Sequence, residues 1–220
     1  MKKSDIFTMN KAQNSGWHML FRFSLLVFFS SVILKAPAQC PTVVATPSST
    51  SICSGSTATI LLKSDQTETT YSWTALQTGV VGAADGLGSA ITNNLSATDA
   101  TPGSVVYTIT PLSKGCKGTP AVITIKVNPT PGITAVPLSS TLISGTASSI
   151  SLTSDVTETN FSWTVIRSGV SGATDGSGPI ISQTISAVAE RGVATYHITP
   201  NFKGCIGNSI NVKVIVKKKI

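Results

Sequence analysis

The sequence has few charged, aromatic and histidine residues, and these shortages argue against several classes of protein. Charged residues make up 11% of the 220 residues, aromatic residues make up 6%, and there are two histidines. Only His197 lies beyond the first 38 residues. No Gly-x-Ser-x-Gly motif accompanies it, so a His-based catalytic triad is not predicted. The chain also lacks a P-loop and a Gly-x-Gly-x-x-Gly motif after a strand. We therefore expect a protein that is not an enzyme, with His197 as a solvated strand residue.

Long hydrophobic runs are also absent, since the main apolar stretch covers only residues 23–34. Basic residues precede this stretch, and the small-x-small pattern Ala36-Pro37-Ala38 follows it. Twelve apolar residues are short for a membrane span but typical of a secretory signal peptide. We predict that residues 1–38 form a cleaved signal peptide, with an uncleaved anchor as the alternative. The mature chain would then begin at Gln39 and have no membrane span.

The net charge of +7 belongs largely to this leader. Five of the 16 basic residues and one of the nine acidic residues lie in residues 1–38, so the mature chain carries 11 and 8, or +3. Three of the remaining basic residues form the run Lys217-Lys218-Lys219, which is interpreted as a solvated tail. A nucleic-acid partner is not predicted, because its binding surface needs concentrated basic residues with base-reading or stacking partners.

What the chain does contain is an internal repeat of about 90 residues. Ser64–Gly88 and Ser154–Gly178 align without a gap, and 15 of the 25 positions are identical. A period of this length corresponds to a whole small domain rather than to a solenoid repeat of roughly 20–50 residues. We predict a first module at residues 39–128, a Pro-rich linker at residues 129–132, and a second module at residues 133–220.

Each module has short alternating apolar runs bounded by Gly, Pro, Asn and Asp, the pattern of antiparallel β-structure. In the first module the predicted strands are Val43–Thr46, Thr57–Lys63, Thr70–Ala75, Ala90–Leu95, Val105–Thr110 and Val122–Val127. Six or seven short strands in 90 residues predict a two-sheet immunoglobulin-like sandwich, so the fold class is all-β with two tandem sandwiches. The predicted structural core includes Trp73, Trp163, Tyr107 and Tyr196, although exposed tryptophans that stack on sugars are the alternative for the first two.

Four cysteines allow three complete disulfide pairings in an exported protein. Cys53 and Cys116 both lie in the first module, whereas the second module has Cys205 but carries Ile143 where Cys53 would be. The simplest interpretation is a Cys53–Cys116 bridge. Cys205 is then left either to pair with Cys40 or to remain free.

Two acidic turns occur in both repeats, at Asp65 and Asp85 and again at Asp155 and Asp175. Calcium favours oxygen ligands from such turns, but two acids per module fall short of a coordination shell without backbone carbonyls. Asp-Gly is also a favoured turn dipeptide. We therefore expect no cofactor and no metal, and calcium is the alternative reading of these turns.

Several short motifs occur in a fixed order along the first module. They are Ile52-Cys53-Ser54-Gly55, Tyr71-Ser72-Trp73-Thr74, Asp85-Gly86-Leu87-Gly88, Val106–Pro111, Gly115-Cys116-Lys117-Gly118 and Ile125–Pro129. Together they resemble the PKD-like modules of secreted and surface proteins from Bacteroidetes-type bacteria. The resemblance covers both repeats and implies an Ig-like sandwich used for adhesion, for protein or polysaccharide contacts, or for spacing. It also implies a bridge between Cys53 and Cys116, which match the family's cysteine pair.

These observations predict an exported, non-enzymatic interaction or spacer protein, secreted or at the cell surface, with the periplasm as an alternative. Its expected partner is an envelope or extracellular protein, and a carbohydrate-binding adhesin is the second hypothesis. An accessory module or a fragment of a larger secreted enzyme is the third. For sugar binding, the predicted contact is Phe202 with the neighbouring Lys203, in the last hairpin of the second module. No oligomeric state is predicted.

Overall fold

The computed structural model describes residues 39–47 and 50–219, and the predicted signal peptide at residues 1–38 lies outside them. Every regular element in the described part is a β-strand. No helix long and apolar enough to cross a membrane occurs there. The strands of the first module are β1 Val43–Pro47, β2 Ser51–Cys53, β3 Ser56–Ser64, β4 Thr70–Thr78, β5 Val80–Val81, β6 Gly86–Leu87, β7 Ala90–Ala97, β8 Gly103–Ser113, β9 Cys116–Lys117 and β10 Ala121–Asn128. Each of the six strands predicted for this module lies within an observed strand.

The first module is a sandwich of two sheets. One sheet has the strand order β1-β3-β7-β5, and the other has the order β2-β10-β8-β4-β6, with β9 paired to β8. All these pairs are antiparallel except β2 with β10, which run parallel. The chain therefore contributes one short strand to each sheet before the long strands begin, and the inner faces of the two sheets enclose the core.

The second module repeats this arrangement. Its strands are β11 Thr134–Val136, β12 Ser139–Ile143, β13 Thr146–Ala147, β14 Ile150–Thr153, β15 Asn160–Ser168, β16 Val170–Ser171, β17 Gly176–Ser177, β18 Ile180–Ile181, β19 Thr184–Ala187, β20 Arg191–Phe202, β21 Cys205–Ile206 and β22 Ile210–Lys217. One sheet has the order β12-β22-β20-β15-β17, with β21 paired to β20, and the facing layer is split into β11-β14-β18 and β13-β19-β16.

The split in the second module occurs at a single buried serine. Ser148 occupies the position of Ala58 in the repeat, and its Oγ accepts a hydrogen bond from the Gln183 backbone N–H at 3.1 Å. The same hydroxyl donates to the Ile181 carbonyl at 3.4 Å. A serine side chain that bonds to backbone groups competes with the strand ladder. This explains why β13 and β14 are separate where the first module has the continuous strand β3.

Each core is built around a buried tyrosine. Tyr107 and Tyr196 have no exposed surface, and each lies among aliphatic side chains from both sheets. The Tyr107 hydroxyl donates to Asn93 Oδ1 at 2.8 Å, and the Tyr196 hydroxyl donates to Gln183 Oε1 at 2.7 Å. Burial raises the pKa of both phenols to about 12. The hydroxyl group of each buried tyrosine thus has a hydrogen-bond partner, as is usual for buried polar groups.

Candidate functional site

The two tryptophans lie against the repeated Asp-Gly turns. Trp163 is buried, and Trp73 is partly buried and packs on its core. Their indole N–H groups donate to the backbone carbonyls of Thr174 and Ala84, at 3.2 and 3.0 Å. A Cβ on Gly86 would lie 2.6 Å from the Trp73 ring, so only glycine leaves room there. In this position the rings contact a turn of their own module, and their faces do not form an open platform.

The duplicated carboxylates also bind their own modules. Asp85 and Asp175 each accept a hydrogen bond from a strand N–H at 2.7 Å. Asp65 accepts from the Thr42 N–H at 2.8 Å, and this bond is the main cause that lowers its pKa. Within the described residues, no group of three or more His, Cys, Asp or Glu side chains is arranged to hold a metal ion. These acids therefore have a structural explanation as hydrogen-bond acceptors for turns and entry segments.

The predicted Cys53–Cys116 disulfide is wrong. The structure pairs Cys40 with Cys116 and Cys53 with Cys205, with Cα–Cα distances of 5.3 and 5.4 Å. The reason lies in the strand register. Cys53 is level with Asn128 beside the beginning of β8, whereas Cys116 pairs with Ser113 at the end of β8. Ten residue steps of β-strand span roughly 30 Å, while a disulfide needs Cα atoms about 4–7 Å apart.

The first disulfide holds the entry segment of the first module on its last hairpin. Cys40 bonds to Cys116, and the next residue, Pro41, passes so close to Gly118 that a Cβ there would overlap the Pro41 carbonyl oxygen. Pro131 crosses Gly207 in the same way in the second module. Both modules therefore begin on the hairpin that follows their longest strand, and only the first adds a disulfide at that place.

The second disulfide joins the two modules. Cys53 lies at the end of the first module that faces the linker, and Cys205 lies in the β20–β21 hairpin, where the second module begins. Because Cys205 is bonded to Cys53 and Cys40 to Cys116, the alternatives of a free thiol and of a bond to Cys40 are both excluded. All four cysteines are bonded. Because Cys53 and Cys205 are 152 residues apart and lie in different modules, the pattern of one module alone does not predict that they meet.

The predicted sugar contact at Phe202 is also wrong. Phe202 is 2% exposed, because the inward alternation of β20 continues from Tyr196 and Ile198 through to its last residue. Lys203 begins the hairpin and is exposed, with a φ of 48°. Its Nζ lies 4.9 Å from the centre of the Phe202 ring, a distance at which an ammonium group is attracted to an aromatic face. Phe202 and Lys203 therefore contact each other, but only Lys203 is exposed to a ligand.

Lys203 lines a groove at the junction of the two modules. The groove has a volume of about 680 Å³. We call it the junction groove and define it by Ser51, Ser104, Thr124, Lys126 and Asn128 of the first module and Lys203 of the second. None of its lining residues is a carboxylate. It lies beside the Cys53–Cys205 bond, since Cys53 is level with Asn128 in the parallel pair of β2 and β10.

The groove follows from the alternation of the strands. Val105, Ile125 and Val127 point into the core of the first module, so their neighbours Ser104, Thr124 and Lys126 point outward on the same sheet. Asn128 is buried at the edge, and its Nδ2 donates to Ser51 Oγ at 3.1 Å. Sequence reasoning did not find this site, because its residues are ordinary outward positions that become a concave surface only when the second module lies beside them.

Both modules match a known protein family. The family model for the PKD-like domain matches residues 50–131 and residues 140–219. The chain matches no curated protein. Among solved structures it is similar to immunoglobulin domains 1–4 of Sidekick-1, with 15% identity and a TM-score of 0.47 over 82% of this chain and 49% of that one. It is also similar to an I-band fragment of titin, with 12% identity and a TM-score of 0.44 over 82% of this chain and 66% of that one.

The chain therefore spans between about half and two thirds of the length of these two structures. The two family matches cover most of the sequence and fall on the two sandwiches, one on each. The chain belongs to the PKD-like domain family and contains two tandem copies of the domain.

Proposed function

We propose that this protein is an exported, non-enzymatic interaction element whose two PKD-like modules present one continuous binding surface. The observation that carries the proposal is the Cys53–Cys205 disulfide. A tandem joined by a peptide linker alone can change the angle between its domains, and such motion is the default expectation for small interfaces. A second covalent connection restricts that motion, so a partner can contact both modules at once without the cost of ordering them.

Export is supported by the cysteines. Disulfides form and persist in oxidising compartments and are rare in the cytosol. All four cysteines of this chain are paired, and the two bonds fix the entry segment and the junction between the modules. A protein whose arrangement depends on two such bonds is suited to the cell surface, the medium or the periplasm.

A non-enzymatic role is supported by the environment of the titratable groups. Asp85 and Asp175 are used as acceptors for strand N–H groups, and His197 lies 3.0 Å from the Asn211 side-chain oxygen on an exposed sheet face. The hydroxyl–carboxylate pairs Ser64 with Asp65, Ser154 with Asp155 and Thr101 with Asp99 join residues one or two positions apart, where they stabilise exposed turns. The repeated acids explain local turns, and the junction groove contributes lysines, hydroxyls and an amide, which bind ligands without performing chemistry.

The partner is an extracellular macromolecule, either a protein of the envelope or a polysaccharide. The test uses the processed protein recovered from the exporting cells, labelled and added to intact cells and extracellular matrix. Saturable binding without any released product is the expected result. Protease treatment of the target abolishes binding to a protein partner, and periodate treatment abolishes binding to a glycan.

Two results would overturn the proposal. Absence of saturable binding to any target would remove the interaction role, and release of a new product from the target would make the chain an enzyme. Alkylation of free thiols, read by mass spectrometry, supplies the control for export, because the exported chain should contain no reactive cysteine.

A further inference from the structure

We propose that the junction groove binds an acidic polysaccharide, with Lys126 and Lys203 contacting its carboxylate groups. This inference rests on the proposed function, since it names the ligand class of the same two-module surface. Each lysine has an equivalent position in the other module, so the two repeats serve as internal controls for one another.

Lys203 and its counterpart in the first module differ in what their ammonium groups contact. The equivalent residue of the first module, Lys114, has the same φ of 48° and lies 3.8 Å from Glu68 in an ion pair. Lys203 makes no ion pair with any residue in 39–47 or 50–219. Its ammonium group lies over the Phe202 ring instead. The hairpin lysine of the first module thus faces a carboxylate, whereas Lys203 at the junction has no carboxylate paired with it among the described residues.

Lys126 is a charged residue of the first module that has no charged equivalent in the second. It pairs with Ser104 across β10 and β8, and the register of the second module places Ile215 opposite Val193 at the same position. Both positions point outward from equivalent sheets. The lysine is present on the first module, where Lys203 also lines the groove, and the equivalent position of the second module is aliphatic.

The remaining groups of the groove favour a polyhydroxylated ligand over a peptide. Ser104 and Thr124 offer hydroxyls that both donate and accept, and the Asn128 amide is oriented by its bond to Ser51. The centres of protein–protein interfaces are enriched in aromatic residues and depleted of lysine and serine. The groove has the opposite composition, with lysines and hydroxyls and no aromatic side chain among its lining residues.

The charges come from different modules, so the site is complete only when the modules are held together. Lys126 belongs to the first module and Lys203 to the second, and the Cys53–Cys205 bond connects the strand edge beside one to the hairpin that carries the other. Breaking that bond should therefore weaken binding even though it removes no contact. This dependence separates the groove from any site confined to one sandwich.

The test measures binding of the processed, oxidised protein to immobilised polygalacturonate, with dextran as the neutral glycan and polyglutamate as the acidic peptide. We expect binding to polygalacturonate alone, and weaker binding as NaCl rises from 0.05 to 0.5 M, because salt screens exposed charges. Lys126→Gln with Lys203→Gln should weaken it about tenfold, a magnitude consistent with two exposed charge contacts. The matched control is Lys114→Gln, on the equivalent hairpin outside the groove, which should bind like the unmodified protein.

Several outcomes would overturn the inference. Unchanged affinity in the double lysine variant would remove the groove as the site, equal binding to dextran would remove charge as the cause, and tighter binding to polyglutamate would assign the groove to an acidic peptide. These failures differ from failure of the proposed function. In that case no saturable binding to cells or matrix would occur, whereas a wrong ligand class or a wrong site would leave that binding of the unmodified protein intact.

Discussion

Replacing Cys53 and Cys205 with serine should make the two modules unfold separately. In the native protein the bond between them closes a loop with a sequence separation of 152 residues, which includes most of both modules. While this bond is intact, unfolding of one module leaves a chain that is still tethered to the folded other. Loss of the bond removes that restraint and leaves the linker as the only covalent connection between the two sandwiches.

The magnitude follows from the chain-entropy model for disulfides. A cross-link over 152 residues restricts the unfolded chain by about 5 kcal/mol, and the Cys40–Cys116 bond over 76 residues restricts it by about 4.5 kcal/mol. The two bonds are therefore nearly equal in stabilising effect. They differ in what they connect, since one lies within the first module and the other joins the two modules. Removal of the first bond is therefore a control for removal of the second.

The assay is urea denaturation followed by tryptophan fluorescence. Outside residues 1–38 each module has one tryptophan, Trp73 in the first and Trp163 in the second. Trp73→Phe therefore leaves a probe for the second module, and Trp163→Phe leaves a probe for the first. Module-specific probes are needed because a multidomain protein need not unfold in one two-state transition. Both probes are measured in the native disulfide background and in Cys53→Ser with Cys205→Ser.

We expect coincident midpoints with the inter-module bond and separate midpoints without it. Cys40→Ser with Cys116→Ser should lower the stability of the first module while leaving the second module's coupling to it in place. The reasoning would be refuted if removal of Cys53 and Cys205 left both midpoints unchanged and coincident, since the bond would then contribute neither stability nor coupling.

Three further predictions concern single side chains. Phe202→Ala should destabilise the second module by about 3 kcal/mol, because it empties a buried aromatic site, and urea denaturation read at Trp163 measures this loss. A wild-type midpoint would contradict the burial. Gly176→Ala should displace the Trp163 ring, whose Cζ2 lies 2.8 Å from the added Cβ, and lower stability by about 1–3 kcal/mol; an unaltered near-UV CD spectrum would count against this packing. The Gly132 N–H holds the pKa of Asp155 below its ordinary value of 3.8. The contribution of the Asp155 carboxylate to the free energy of unfolding is therefore complete above pH 3.8 and is lost as the pH falls through the folded-state pKa. Acid titration of Asp155→Asn should accordingly show a flatter loss of stability below pH 3.8 than the native chain, and parallel curves would refute this role.

Local pattern was sufficient for the fold because it records which face of each strand is buried. The alternation of Ala58, Ile60 and Leu62 predicts one inner face, and that of Val105, Tyr107 and Ile109 predicts another, and all six residues are buried. The ninety-residue repeat then requires two copies of the same sandwich. These features depend on neighbours within one strand or one turn, which a sequence displays directly.

The burial of Phe202 could have been predicted from the alternation of its own strand. Its position beside Lys203 in the last hairpin indicated an exposed side chain. The alternation along β20, however, continues to Phe202 and places it on the inner side, and Ser113 is buried at the same position of β8. Counting the period to the end of the strand would have predicted this burial from the sequence.

The all-β class, the tandem, most of the strands and the inward residues could be predicted from the sequence, because each follows from a repeat, from a period of two or from turn residues. The disulfide pairing and the junction groove, in contrast, depend on how the strands are arranged in space. Cys53 and Cys116 share a module but lie at opposite ends of β8, whereas Cys53 and Cys205 lie in different modules and meet. Such distances depend on strand length, on register and on how one sandwich is placed against the next, and no local pattern contains them.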